Sequence, residues 1–192
     1  MSVAGRSRDT DIDTRVLRVA GRQLSRAGYD AMSLAAIAAE AGTTRQALYR
    51  RWATKAELAA AVVAQLADEE TGRSSADPFG DLVRELADFQ RGVSRTGRLS
   101  LVGTMLQDTT DSDVRAQYRA RVVAPRRRRI RDILDRATAL KMIDADADLE
   151  VAVTMATGSW YGRALAGDPP PADWPARTAA LIWRAVGGTV PS

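Results

Sequence analysis

The stretch Ser33–Lys55, SLAAIAAEAGTTRQALYRRWATK, constrains the fold of this chain more than any other. Behind Ser33, Leu34, Ile37 and Ala38 recur at helical spacing, and the Ser33 hydroxyl is suited to accept from an orphan backbone donor as N-cap. The run stops at Gly42, where a left-handed conformation costs little. Thr44 then caps a second short helix, on which Ala47, Leu48 and Trp52 recur at i, i+1 and i+5. Two short helices joined by about four residues with a glycine form the helix-turn-helix pattern, whose second helix enters the DNA major groove. On that helix Arg45, Gln46, Tyr49 and Arg50 lie off the apolar face. They are the hydrogen-bonding types that a DNA reader needs.

The wider stretch Gly28–Val62 resembles the DNA-binding head of the TetR family of bacterial repressors. The resemblance is carried by GYDAMSLAAIAAEAG, then TTRQALYRRW, then the ATKAEL that opens the next helix. The Leu48-Tyr49 pair, an aromatic at Trp52 and Lys55 stand in the family's order and spacing. Trp52 replaces the usual phenylalanine, and Thr43 stands where a valine-like residue is usual. The resemblance implies that Tyr49 and Lys55 contact the DNA backbone. The candidate DNA-binding residues are Ser33, Thr43, Thr44, Arg45, Gln46, Tyr49, Arg50 and Lys55. It also implies a small-molecule inducer held among the helices of the body.

Charge follows the same division. Residues 1–60 carry ten Lys/Arg against six Asp/Glu, so the whole net charge of +4 lies on that segment and the remainder is neutral. One end is thus suited to phosphates and the other to neutral partners. With no cysteine and no histidine, the chain lacks a thiolate nucleophile, the usual general base and the usual near-neutral pH switch. No long uncharged apolar run spans a bilayer and no signal-peptide core opens the chain, so the expectation is a cytoplasmic protein without membrane contact.

The periodicity predicts an all-α chain of about nine helices. A three-helix helix-turn-helix head occupies residues 1–54, the helix 55–70 connects, and residues 71–192 form a helical body for ligand binding and dimerisation. The polar arm Met1–Thr10, with Arg6 and Arg8, reads as disordered until it meets a partner such as a minor groove. Ile12–Ala27 is amphipathic and ends at Gly28. Lys55–Glu70 opens with a Thr54/Glu57 capping box and carries Leu58, Val62 and Leu66 on one stripe. Thr71–Gly80 is the breaker cluster that marks the joint. Helices follow at about 81–94, 98–107, 112–140 with a kink at Pro125, 148–166 and 173–186.

In the body, Phe89, Met105, Gln107, Met155 and Trp160 are candidates for an apolar ligand pocket, against the plainer reading that they fill the core. Leu149, Val153, Ala156 and Trp160 form one candidate dimer face, and Trp174, Leu181, Ile182 and Ala185 another. The run Arg126–Arg129 reads as a solvated face, and the acidic pairs Asp111/Asp113 and Asp146/Asp148 as helix-start residues. The expected function is a homodimeric, sequence-specific DNA-binding repressor released from a palindromic operator by a small, mostly apolar ligand. No cofactor, metal or catalytic role is expected. The competing classes are an all-α enzyme, poorly served without His or Cys, and a non-DNA interaction protein with a degenerate head.

Overall fold

The computed structural model describes residues 4–68, 74–95, 98–107 and 111–191. Ten α-helices follow in order: α1 (Ala4–Ala31), α2 (Leu34–Glu40), α3 (Arg45–Tyr49), α4 (Lys55–Asp68), α5 (Pro78–Val93), α6 (Arg98–Met105), α7 (Ser112–Tyr118), α8 (Ala124–Ala139), α9 (Leu149–Leu165) and α10 (Trp174–Ala185). A π-helical turn, Arg119–Val123, joins α7 to α8 without a break, which leaves nine continuous helical stretches and no strand among the described residues. The all-α expectation holds. Pro125 lacks an amide hydrogen, and the widened turn just ahead of it is where the ladder accommodates that loss.

The helix ends have local causes. Gly28, at φ 82° and ψ 174°, interrupts α1 near its end. Thr54 Oγ1 accepts from the Glu57 amide at 3.0 Å, while Glu57 Oε2 reaches past the Thr54 amide to accept from that of Ala53 at 2.8 Å, a variant of the expected capping box. Asp77, Asp111 and Asp148 cap α5, α7 and α9 with their carboxylates. α1 starts at Ala4, so residues 4–10 of the arm expected to be disordered are helical, with no proline to stop the helix extending back from Ile12. Residues 1–3 of the arm and 71–73 of the breaker cluster lie outside the described residues, as do the side chains of Arg6, Arg8 and Leu66. No described helix is long and apolar enough to cross a membrane.

Two compact units are present. The first holds residues 1–69 together with 95–123, and the second holds 70–94 with 124–192. In the first, Val16, Ala20 and Leu24 of α1 meet Ile37 of α2, Leu48 of α3, Leu58 and Val62 of α4, Leu101 and Met105 of α6, and Val114 of α7. The Thr104 hydroxyl of α6 donates to the Leu24 carbonyl at 3.4 Å.

The second unit packs α5, α8, α9 and α10 around Leu86, Phe89, Ile130, Leu134, Val153, Ala156, Ile182 and Trp183. Asp81 is buried in α5 and accepts from Ser75, Arg84 and Arg136. Burial pushes its carboxyl up, but the Ser75 amide, the Arg136 guanidinium and the Ser75 hydroxyl outweigh that and hold it well below the carboxylate range. The arginine run is less solvated than its composition implies. Arg129 grips the buried Glu85 in bidentate fashion at 3.0 and 2.8 Å, and Arg126 Nε lies 3.7 Å from the same carboxylate. Arg127 turns instead to Thr154 and Glu150 of α9.

Candidate nucleic-acid interface and body site

α2 begins where the Ser33 hydroxyl accepts from the Ala36 amide at 3.4 Å, and the Ser33 amide donates to Gln23 Oε1 at 3.2 Å. The chain leaves α2 through Gly42 at φ 67°, which lets the Thr43 amide return to the Ala38 carbonyl at 2.9 Å. Thr43 is half-buried in that turn. Thr44 then adopts extended backbone, and its hydroxyl accepts from the Ala47 amide at 3.1 Å. The four residues Ala41–Thr44 thus reverse the chain with every cap filled.

The rotation of α3 about its axis is set by Leu48, 1% exposed in the core, and by half-buried Trp52. Arg45, Gln46, Tyr49 and Arg50 are consequently all exposed, at i, i+1, i+4 and i+5 on one face. The Arg45 guanidinium lies 6.0 Å from the Tyr49 ring centre, and Tyr49 is itself 43% exposed. Three contacts brace the pair of helices against α1. Arg22 pairs with Glu40 at 2.5 Å, Arg15 Nε donates to the Ala41 carbonyl at 3.2 Å, and Arg51 pairs with Asp13 at 2.5 Å. These bracing arginines do not announce themselves in the sequence, where they resemble the outward-facing ones. Lys55, at the start of α4, has Nζ 4.4 Å from the Tyr29 ring centre and donates to the Asp30 carbonyl at 3.2 Å. All eight candidate DNA-binding residues fall in the first unit, at the cap of α2, in the turn, on α3 and its C-cap, and at the start of α4.

The five candidate pocket residues are not brought together in one unit. Met105 and Gln107 belong to the first, where Met105 is buried in the core and Gln107 is exposed with its Oε1 near Gly28. In the second, Met155 is 45% exposed on α9. Phe89 and Trp160 do meet, with ring centres 6.0 Å apart. Phe89 also touches Tyr161 at 5.6 Å and Trp174 at 5.9 Å, and the Arg126 guanidinium sits 5.0 Å from its ring centre. The indole nitrogens of Trp160 and Trp174 are buried without an acceptor among the described residues. Tyr161, Trp174 and Arg126 escape sequence reading because they converge from three helices. The one local hint is Glu85, a carboxylate set among Leu82, Leu86 and Phe89.

The candidate dimer faces also resolve. Val153, Ala156 and Trp160 are buried in their own unit, as are Trp174 and Ile182, while Leu181 and Ala185 are exposed. On the other side of α9, Val151, Met155, Gly158, Gly162 and Leu165 are all exposed at alternating spacings of four and three.

A three-helix core that presents a short, capped and polar-faced second helix defines a helix-turn-helix DNA-binding protein. The family model "Bacterial regulatory proteins, tetR family" matches residues 16–62, and "Tetracyclin repressor-like, C-terminal domain" matches residues 73–182. A curated relative, the uncharacterized HTH-type transcriptional regulator YdeS of Bacillus subtilis strain 168, is 24% identical over 169 residues, covering 85% of this chain and 83% of YdeS. The TetR family transcription regulator SCO0332 has a crystal structure with a TM-score of 0.63 and 25% identity, covering 94% of this chain and 100% of that one. A putative TetR-family regulator from Rhodococcus sp. shares the fold with a TM-score of 0.70 at 18% identity, covering 92% and 99%. This chain belongs to the TetR family, DNA-binding regulators of transcription.

Proposed function

We propose that the chain is a homodimeric repressor in the cytoplasm that reads a palindromic operator with α3 of each copy and is released by a small ligand. The observation that carries this is the rotation of α3. Burial of Leu48 leaves Arg45, Gln46, Tyr49 and Arg50 exposed together. Arg45 and Gln46, at the front of α3, are the base readers; Arg can bind guanine and Gln adenine in bidentate fashion. Tyr49 and Lys55 hold phosphates, Arg50 adds charge beside them, and the Ser33, Thr43 and Thr44 hydroxyls flank the same entry. No reaction is assigned to the chain.

A head this small reads only a few base pairs, so a two-fold pair reading two half-sites is the physical remedy. The seam Val151, Met155, Gly158, Gly162 and Leu165 on α9, with Leu181 on α10, supports self-association. The four large members are 52%, 45%, 89% and 59% exposed, which is costly for a free surface. Two glycines let a second helix approach closely, and the part from Met155 to Leu165, large–Gly–Gly–large at spacings of three, four and three, reads alike in both directions, as an antiparallel copy requires. This seam replaces the Leu149, Val153, Ala156 and Trp160 face, whose last three members are already spent on the unit's own core.

For the ligand, the aromatic group around Phe89 and Trp160 supports a flat, mostly apolar molecule, with two indole donors to spare for an acceptor on it. Release requires that the ligand favour a state whose two heads misfit the half-sites. Fluorescence anisotropy on mixed duplex DNA tests the DNA-binding half of this reading. Affinity that falls steeply with salt is expected, and absence of binding at low salt contradicts it.

A further inference from the structure

Tyr29 follows the glycine that breaks α1, and the break turns its side chain into the first unit, where it is 9% exposed. One face of its ring carries the Lys55 ammonium at 4.4 Å, and that ammonium also donates to the Asp30 carbonyl at 3.2 Å. A free lysine side chain has four flexible bonds to fix on binding, so one already seated on a ring gives up less freedom when a phosphate arrives. Burial, with the Asp111 and Asp30 charges beside it, pushes the Tyr29 hydroxyl up, so the ring stays neutral beneath the ammonium across the physiological range. The end of α1 and the start of α4 therefore meet on this ring.

We propose that Tyr29 is the positioning residue for Lys55: its ring, placed at the break in α1, pre-sets the ammonium for a DNA phosphate. The proposal rests on the phosphate contact assigned to Lys55 above, and two measurements separate the two ideas. The chain has only two lysines, Lys55 and Lys141, so reductive methylation with 13C-formaldehyde gives a dimethyl-lysine spectrum of two signals beside the N-terminus. With Lys55→Arg used for assignment, the Lys55 signal is expected upfield of Lys141 because the tyrosine ring shields it. The upfield position should persist in Tyr29→Phe and vanish in Tyr29→Leu. Two signals at the same solvent-like position in the wild type overturn the proposal, whether or not Tyr29→Leu folds.

The second measurement is the salt slope of binding to random duplex DNA. Lys55→Ala should flatten it by about 0.9 per head. Tyr29→Leu should keep the slope, since the ammonium still reaches its phosphate, but lower affinity severalfold at every salt; Tyr29→Phe should keep the wild-type affinity, and Tyr29→Leu added to Lys55→Ala should cost nothing more. Unchanged affinity in folded Tyr29→Leu, or an equal loss when it is added to Lys55→Ala, refutes positioning. A full slope in Lys55→Ala, with the upfield signal present, refutes the phosphate contact instead and reduces Tyr29 to a structural clasp.

Discussion

Arg51, just past the end of α3, pairs with Asp13 on α1, with 2.5 Å between Nε and the carboxylate. The same side chain donates to the Ala47 carbonyl at 3.2 Å, so α3 is held to α1 at its C-terminal end as well as through Leu48. Asp13→Ala should lower stability by no more than about 1 kcal/mol, since the carboxylate is partly exposed. It should nonetheless weaken operator binding more than random-DNA binding, because base readout depends on the angle of α3 and phosphate contact does not. Paired anisotropy titrations on the two DNAs check this, and equal losses on both would show that the brace does not orient the reader.

Gln46 is exposed on the reading face, and its side chain makes no hydrogen bond among those described. Gln46→Ala should therefore leave thermal stability unchanged and relax preference at one base pair per half-site, worth about 1–3 kcal/mol of discrimination. Comparing selected-site profiles of variant and wild type reads the effect. Profiles that match at every position would make Gln46 a bystander.

Gly158 faces open space, so a larger side chain there meets nothing within its own unit. Gly158→Leu should keep the fold, and even gain helix propensity, while driving sedimentation velocity from dimer toward monomer. Palindromic operator affinity should fall with it. A variant that remains fully dimeric would place the interface elsewhere.

Asp81 gives the protein a defined acid response. Its folded-state pKa is lowered from the ordinary value of 3.8, so its contribution is fully present above that value. It is lost as pH falls through the ordinary value toward the lower folded one. The stability gap between wild type and Asp81→Asn should thus be flat from neutral pH down to about 5 and shrink below about 4. Urea titrations at a series of pH values measure the gap, and a gap that widens on acidification would contradict the assignment.

How much of this was legible beforehand differs between the two ends of the chain. The head is written locally: caps at Ser33, Thr44 and Thr54 and the turn glycine at Gly42 each act within a few residues, so spacing reveals them. The same holds for the reading face of α3, fixed once Leu48 is taken as buried. The body is written in long-range contacts. Whether Val153 or Val151 faces inward depends on what α5, α8 and α10 bring against α9, and an α9 that is apolar on both sides gives no local sign. The arginine run shows the same limit. Arg126 and Arg129 turn inward because Glu85, over forty residues away, waits for them. Tyr29 drew no separate reading in the sequence, and its hold on Lys55 follows from the break in α1 at Gly28.

The claim at the centre is that α3 reads base sequence in a two-fold pair. Enrichment of a random duplex library on the full-length protein, followed by titration of the winning sequence, tests it most directly. The expected winner is an inverted repeat whose half-sites lie about one helical turn apart, bound by two chains, with Gln46→Ala relaxing one position in each half. A library that returns no motif, or a single asymmetric site saturated by one chain, would contradict it.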